Sequence, residues 1–245
     1  MDETPLRRRL AIDAADDAAT GWEQDQATTE EPTSAPRVRG VVRELFETAI
    51  FVLLVFFIVR GVVQNFKIEG QSMEPNLHTG QYILVNKIVY FHFDLNAPLR
   101  LLPGNRALPS KIVYPFHMPH RGEIIVFEYP RDRSKDYIKR VIGLPGDRIQ
   151  VKDGRVYVND TPLYEPYLTD PTDCRIGDEC ADSKMITVPA GSVYVFGDNR
   201  LNSSDSREWN ELPLDRIIGK AWVSYWPTDQ LGVITHAGYP GVKTP

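Results

Sequence analysis

The chain has 245 residues, 42% of them hydrophobic and 25% charged, with a formal net charge of −5. That length suits one sizeable folded domain with appendages better than two full domains. The mildly acidic balance gives no basic footprint for nucleic acid, and no nucleic-acid partner is expected.

Residues 1–36 mix Asp, Glu, Ala, Thr and Pro, with hardly a large apolar side chain after Leu10. Too little apolar surface is available there to offset the entropy of ordering, so a disordered tail is expected. The Arg7-Arg8-Arg9 run reads as part of that solvated tail.

Residues 37–65 read as a membrane segment with a basic flank. Every residue from Ala49 to Val59 is apolar. Counted from Leu45 to Val63, the stretch falls within the roughly 17–25 residues that a spanning helix needs. Glu47 and Arg60 sit near its ends, where long charged chains reach toward headgroups. Arg37, Arg39 and Arg43 precede the span and Lys67 follows it. That bias predicts a cytoplasmic N-terminus and an extracytoplasmic remainder in a plasma-membrane protein.

From residue 66 to 245 the pattern changes to short apolar or alternating runs split by turn signals. Strands are expected at 82–90, 123–130 and 136–143, and in GKAWVSYWP at 219–227. Asp153-Gly154 predicts a hairpin in RIQVKDGRVYVND. KMITVPAGSVYVFGDN has the same form around Pro-Ala-Gly, and one short helix is expected near 203–210. The fold class is mainly β: antiparallel sheets sharing a core. Residues 93–120, rich in proline and poor in strand signals, read as a long loop insertion. Its His117 and His120 have no helix to align them and no acidic partner in view, so no metal and no cofactor are expected. Cys174 and Cys180 flank a short polar segment. On the oxidising side of a membrane they suit a disulfide, with two free thiols as the alternative, and two cysteines alone cannot fill a zinc shell. Trp222, Tyr225 and Trp226 suit either a membrane interface or buried packing.

Three stretches carry possible chemistry. Ser72 stands in GQSMEP, just beyond the span, as a turn residue or a nucleophile. A serine hydroxyl needs a base. None of His78, His92, His117, His120 and His236 lies in a run built around it. Lys139, in DYIKRVIGLPGD, lies on a strand between apolar neighbours, with Tyr137 and Val141 on its face. Burial there would lower its pKa toward that of a base, while an edge position facing water would not. GDNRLNSSDSREW offers Asp198, Asn199, Asn202, Ser203, Asp205 and Arg207, which suit a rigid polar loop and equally a capped turn entering a helix.

Together these stretches resemble the type I signal peptidases, membrane-bound serine proteases with a Ser-Lys dyad. The resemblance runs from about Phe66 to Trp226, with the three motifs in the expected order. It implies Ser72 as nucleophile and Lys139 as general base, an ester intermediate, and water activated by the same lysine. It implies that Ser203 orients the lysine amine, that Asp205 and Arg207 form a supporting ion pair, and that Asp198 and Asn199 shape the site. The Ser72 N–H would stabilise the oxyanion. The second donor is a serine hydroxyl in some members, but this chain has Gly70 there, and a backbone N–H near Gly70 replaces it in this reading. Leu201 stands where many members carry Asp. Phe66, Ile68, Met73, Leu77, Ile83, Val126, Tyr137 and Ile138 match pocket positions, and the same residues suit strand core. The implied substrates are exported preproteins cut after small-x-small, Ala-x-Ala-like sites at the membrane. A dedicated pilin or conjugation-type processing peptidase and a non-catalytic tethered β binding domain are the alternatives. Self-cleaving repressors share the dyad but carry a DNA-binding segment in place of the span.

Overall fold

The computed structural model describes residues 35–242, except 103, 106, 110, 175–179 and 181–183. The expected disorder of the tail and its arginine run therefore lie outside the described residues up to 34. Residues 35 and 36 already belong to the first helix.

That helix, α1, covers Ala35–Val62. Its segment Gly40–Val62 has 23 residues, a mean hydropathy of 2.3 and no part buried. At about 1.5 Å per residue it is roughly 34 Å long, enough for a hydrocarbon core of about 30 Å. Polar groups are settled locally: Arg43 Nε bonds Glu47 at 2.7 Å, and Thr48 Oγ1 donates to the Glu44 carbonyl at 2.8 Å. The helix stops at Val62, earlier than the apolar run suggests, because residues 63–65 are taken into a strand.

The strands are β1 (Val63–Lys67), β2 (Tyr82–Asn86), β3 (Phe93–Asp94), β4 (Ile112–Val113), β5 (Ile124–Glu128), β6 (Asp136–Gly143) and β7 (Arg148–Lys152). They continue with β8 (Arg155–Val158), β9 (Thr161–Pro162), β10 (Ile186–Thr187), β11 (Ser192–Phe196), β12 (Leu212–Pro213), β13 (Ile217–Trp226) and β14 (Gly232–Val233). A short helix, α2, covers Ser206–Trp209. The main sheet runs β1-β2-β13-β5-β6-β11-β12, with β14 also on β13. A second sheet runs β10-β7-β8-β9, and β3 pairs β4. All pairings are antiparallel.

The central strands of the main sheet, β5, β6 and β11, are buried on both faces, and alternation sorts their side chains between them. Ile125 and Phe127 of β5, Val141 of β6, and Val193 and Val195 of β11 share one cluster with Trp209 and Leu212. Ile142, Tyr194 and Phe196 turn the other way, onto the second sheet's Ile149, Val151, Val156 and Val158. Ile124 and Val126 join Ile68, Met73, Leu77, Ile83 and Val85 in a third cluster. Each fully buried Val, Ile or Phe contributes about 1.5–3 kcal/mol, so these strands are held from both sides.

The hairpin at Asp153-Gly154 forms with both residues at positive φ (50° and 74°), the two-residue turn that matches strand twist. The run around Pro-Ala-Gly is not a second hairpin: β10 pairs β7, while β11 enters the main sheet between β6 and β12. The expected strand at 82–90 ends at Asn86, and residues 88–90 form a 3-10 turn started by Asn86 Oδ1, which accepts from the Ile88 N–H at 3.1 Å. Residues 93–120, expected as a long loop, hold the small β3–β4 ladder and a 3-10 turn at Leu99–Leu101. Cys174 and Cys180 are joined by a disulfide, with Cα atoms 5.8 Å apart. Trp222 and Trp226 are exposed at about half their surface (46% and 54%).

Candidate active site

The segment between β1 and β2 extends their ladder and then coils. Ile68 N–H bonds the Gln81 carbonyl (2.8 Å) and Gly80 N–H bonds Ile68 (2.9 Å). Inside, Glu74 N–H bonds Gln71 (3.1 Å) and Leu77 N–H bonds Met73 (2.9 Å). Met73 and Leu77 drop into the core below, which pins the coil and leaves Ser72 half-buried at its upper side. Gly70 has φ +91°, where a side chain is strained, so a serine is disfavoured at this position for a backbone reason.

Lys139 lies on β6 opposite Ile125 of β5 and is 3% exposed. Its amine donates to Ser72 Oγ at 2.7 Å and to the Ile138 carbonyl at 2.8 Å, and lies 5.2 Å from the Tyr137 ring centre. Burial lowers its pKa to about 8, against the opposing pull of Asp205 and Asp198, and Arg207 lowers it further. The neutral form of a buried amine is favoured because the low dielectric penalises the charge.

The loop after β11 braces the coil. Asn199 N–H donates to the Ser72 carbonyl at 3.0 Å, and Asn199 Nδ2 to the Gln71 carbonyl at 3.1 Å. Asp198 takes a two-pronged contact from Arg140 (2.8 and 2.7 Å) and one from Asn76 Nδ2 (2.9 Å). Asp205 caps α2, accepting from the Gly197 N–H (2.9 Å) and pairing with Arg207 at 2.9 and 2.8 Å. Burial pushes the Asp205 carboxyl up, but Arg207, the Gly197 N–H and the nearby Ser203 hydroxyl bring it below the usual carboxylate range. The expected bond from Ser203 to the lysine amine is absent: Ser203 Oγ is buried and meets no partner at ordinary hydrogen-bond geometry. The Ile138 carbonyl holds the amine instead.

An open cleft of about 960 Å³ runs past Ser72 and Lys139. Phe66, Ile68, Ile83, Val126, Tyr137 and Ile138 line it, as do Gly70, Asn202 and Ser204. Met73 and Leu77 do not: they are 1% and 4% exposed, in the core beneath. Sequence reading missed Arg140, Asn76 and Gly197. A Cβ on Gly197 would stand 2.5 Å from the Ser72 carbonyl oxygen and closer still to Ser203 Oγ, so only glycine fits. Its place at the head of the GDNR run, straight after a strand, was the available signal. The view that His117 lacks an acidic neighbour is also corrected: Glu123 Oε1 lies 3.1 Å from its Nε2.

A sequence model of the family described as signal peptidase, peptidase S26, matches residues 42–226. A signal peptidase I of Pseudomonas aeruginosa is 30% identical over 272 aligned positions, covering 96% of this chain and 89% of its own. A signal peptidase I of Bacillus caldolyticus is 38% identical, over 69% of this chain and 82% of its own. A signal peptidase I of Leptolyngbya laminosa is 44% identical over 53% of this chain, and that match spans 64% of the relative, less than two thirds.

Proposed function

The chain belongs to the signal peptidase, peptidase S26 family and is a serine endopeptidase of the signal peptidase I kind, and from that premise we propose that Ser72 is its nucleophile and Lys139 its general base. The observation that carries this reading is the 2.7 Å contact between a buried lysine amine and a serine hydroxyl at the floor of an open cleft.

In its neutral form Lys139 accepts the Ser72 proton as Oγ attacks the scissile carbonyl carbon. The carbonyl π bond opens onto oxygen, and the oxyanion meets the Ser72 N–H and a backbone N–H near Gly70. Among the described residues no acceptor takes the Ser72 N–H, which leaves that donor for the oxyanion. The charged lysine then returns the proton to the departing amine, which carries the mature chain. The signal peptide remains as an ester on Ser72. Lys139 next takes a proton from water, whose oxygen attacks the ester, freeing the signal peptide's carboxylate and restoring the hydroxyl.

The substrate lies extended in the cleft. β11 pairs β6 only from Arg140 onward, so residues 136–139 have β5 on one side and no strand on the other among the described residues. A peptide can add there as a strand. Its alternate side chains then meet the shallow apolar wall of Phe66, Ile68, Ile83, Val126 and Ile138, which suits small residues and so Ala-x-Ala-like sites. Arg37, Arg39 and Arg43, in the part of α1 ahead of its apolar stretch, support a cytoplasmic N-terminus and an extracytoplasmic sheet domain. Anchoring enzyme and signal peptide in one bilayer raises their effective concentration.

A panel of unrelated preproteins tests this. Wild type is expected to cut several at their small-x-small sites and to fail when the residue before the cut is made bulky. Cutting of a single client alone would favour a dedicated processing peptidase, and cutting after bulky residues would overturn the pocket.

A further inference from the structure

The last turn of the insertion carries a second cluster. Glu123, just before β5, is 6% exposed. Its Oε2 accepts from the Tyr90 hydroxyl (2.5 Å) and from the His120 N–H (2.8 Å). Those two donors fix the carboxylate's orientation. Oε1 then faces His117 Nε2 at 3.1 Å and His120 Nδ1 at 4.0 Å, and the two imidazole nitrogens stand 2.7 Å apart. His117 is in turn stacked on Tyr90, with ring centres 6.0 Å apart.

We infer that His117 Nε2, His120 Nδ1 and Glu123 Oε1 form a binding site for a divalent transition-metal ion of the zinc class. The three separations bring the ligands within reach of one ion. A circle through the three atoms has a radius of about 2.0 Å, a Zn–N or Zn–O bond length, with His120 Nδ1 and Glu123 Oε1 nearly opposite across it, and a small turn of the exposed His120 ring brings the three to a tetrahedral face. Two imidazoles and one carboxylate are the ligand set that zinc accepts, with a fourth position left for water or a further donor. Tyr90 and the His120 N–H act as the outer partners that orient the ligating carboxylate. Burial raises the Glu123 pKa, but the His120 N–H, Lys220 and Tyr90 outweigh it and bring it to about 2, so the ligand oxygen is charged.

Lys220 Nζ also donates to Oε1, at 2.6 Å. A carboxylate oxygen has two acceptor directions, so the lysine and an ion can share it. Their like charges oppose each other, which makes Lys220 a built-in brake on affinity. A bound ion would tie the end of the insertion to β5, the strand that pairs with β6.

Calorimetric titration of zinc chloride into the full chain, purified in detergent without a histidine tag, tests the site. The expected result is one ion per chain, with binding weakened by His117→Ala and by His120→Ala. Loss of a ligand should cost at least the roughly 10–100-fold that loss of an outer partner costs. Both histidines are partly exposed, and unchanged thermal unfolding verifies that the variants fold. Lys220→Met should tighten binding. Absence of saturable binding, or binding that either histidine variant leaves unchanged, overturns the inference. So does Lys220→Met binding no more tightly than wild type, because Glu123 then takes no part.

Discussion

Lys139 and Ser72 are 67 positions apart in sequence, yet the lysine amine rests 2.7 Å from the serine hydroxyl. The contact forms because β6 carries the lysine on a strand buried from both sides, while the coil after β1 is pinned by Met73 and Leu77 in the core. Neither partner needs to move for the proton to pass. The fixed geometry and the amine's lowered pKa together set how the enzyme should respond to pH and to substitution.

Activity should rise with pH. Lys139, the proposed base, is competent only when neutral, and with a pKa of about 8 its neutral fraction falls about tenfold for each pH unit below that value. A profile of kcat/KM from mildly acid to alkaline pH is expected to climb and level off above the lysine pKa. A flat profile across that range would contradict a lysine base.

Lys139→Met should stabilise the domain while removing activity. The amine's folded pKa of about 8 lies below its ordinary 10.5, so the fold disfavours its charge. The cost is complete below about pH 8, where the amine is protonated in the folded and the unfolded chain alike, and it fades as pH rises toward the unfolded value. A tenfold change in proton affinity corresponds to about 1.4 kcal/mol, so removing the amine should gain up to about 3 kcal/mol at neutral pH. Urea unfolding at neutral and at strongly alkaline pH checks both the sign and the trend.

Gly197→Ala should slow turnover and cost about 1–3 kcal/mol of stability, because only glycine fits there. Its methyl would collide with the Ser72 carbonyl oxygen and with Ser203 Oγ, pushing the Ser72 backbone away from the lysine. A misplacement near 1 Å can cost on the order of 100-fold in rate. Single-turnover cleavage with circular dichroism on the same sample distinguishes this from unfolding.

Asp198→Ala should cost stability as well as activity. It leaves the Arg140 guanidinium, 2% exposed, without its carboxylate. Breaking a buried pair from one side costs about 3–5 kcal/mol. Denaturant titration should register it, whereas Arg131→Ala at the exposed pair with Glu208 should change little.

Much of this site can be read from sequence because its parts obey local rules. Lys139 stands in an apolar strand, Asp205 sits where a helix cap belongs, and Asp153-Gly154 names its own turn. What escapes depends on non-local choice. Alternation marks Ile186-Thr187 and residues 192–196 as strands but does not say which neighbour each will pair with, so a hairpin is expected where two sheets diverge. Met73 and Leu77 carry the same apolar signal as the cleft wall, and only the depth of the coil separates them. Arg140 follows Lys139 directly, yet alternation sends it to the opposite face, onto Asp198. Glu123 is three residues from His120 and still goes unseen as its partner, because the backbone turn that folds it back (Glu123 N–H to the His120 carbonyl, 3.2 Å) leaves no periodic trace.

The most direct test of the dyad is cleavage of one preprotein whose signal ends in Ala-x-Ala, in detergent or lipid, by wild type, Ser72→Ala and Lys139→Ala side by side. The account predicts release of the mature N-terminus by wild type and none by either variant, with all three folded. Cleavage by Ser72→Ala, or by Lys139→Ala at close to the wild-type rate, would contradict it.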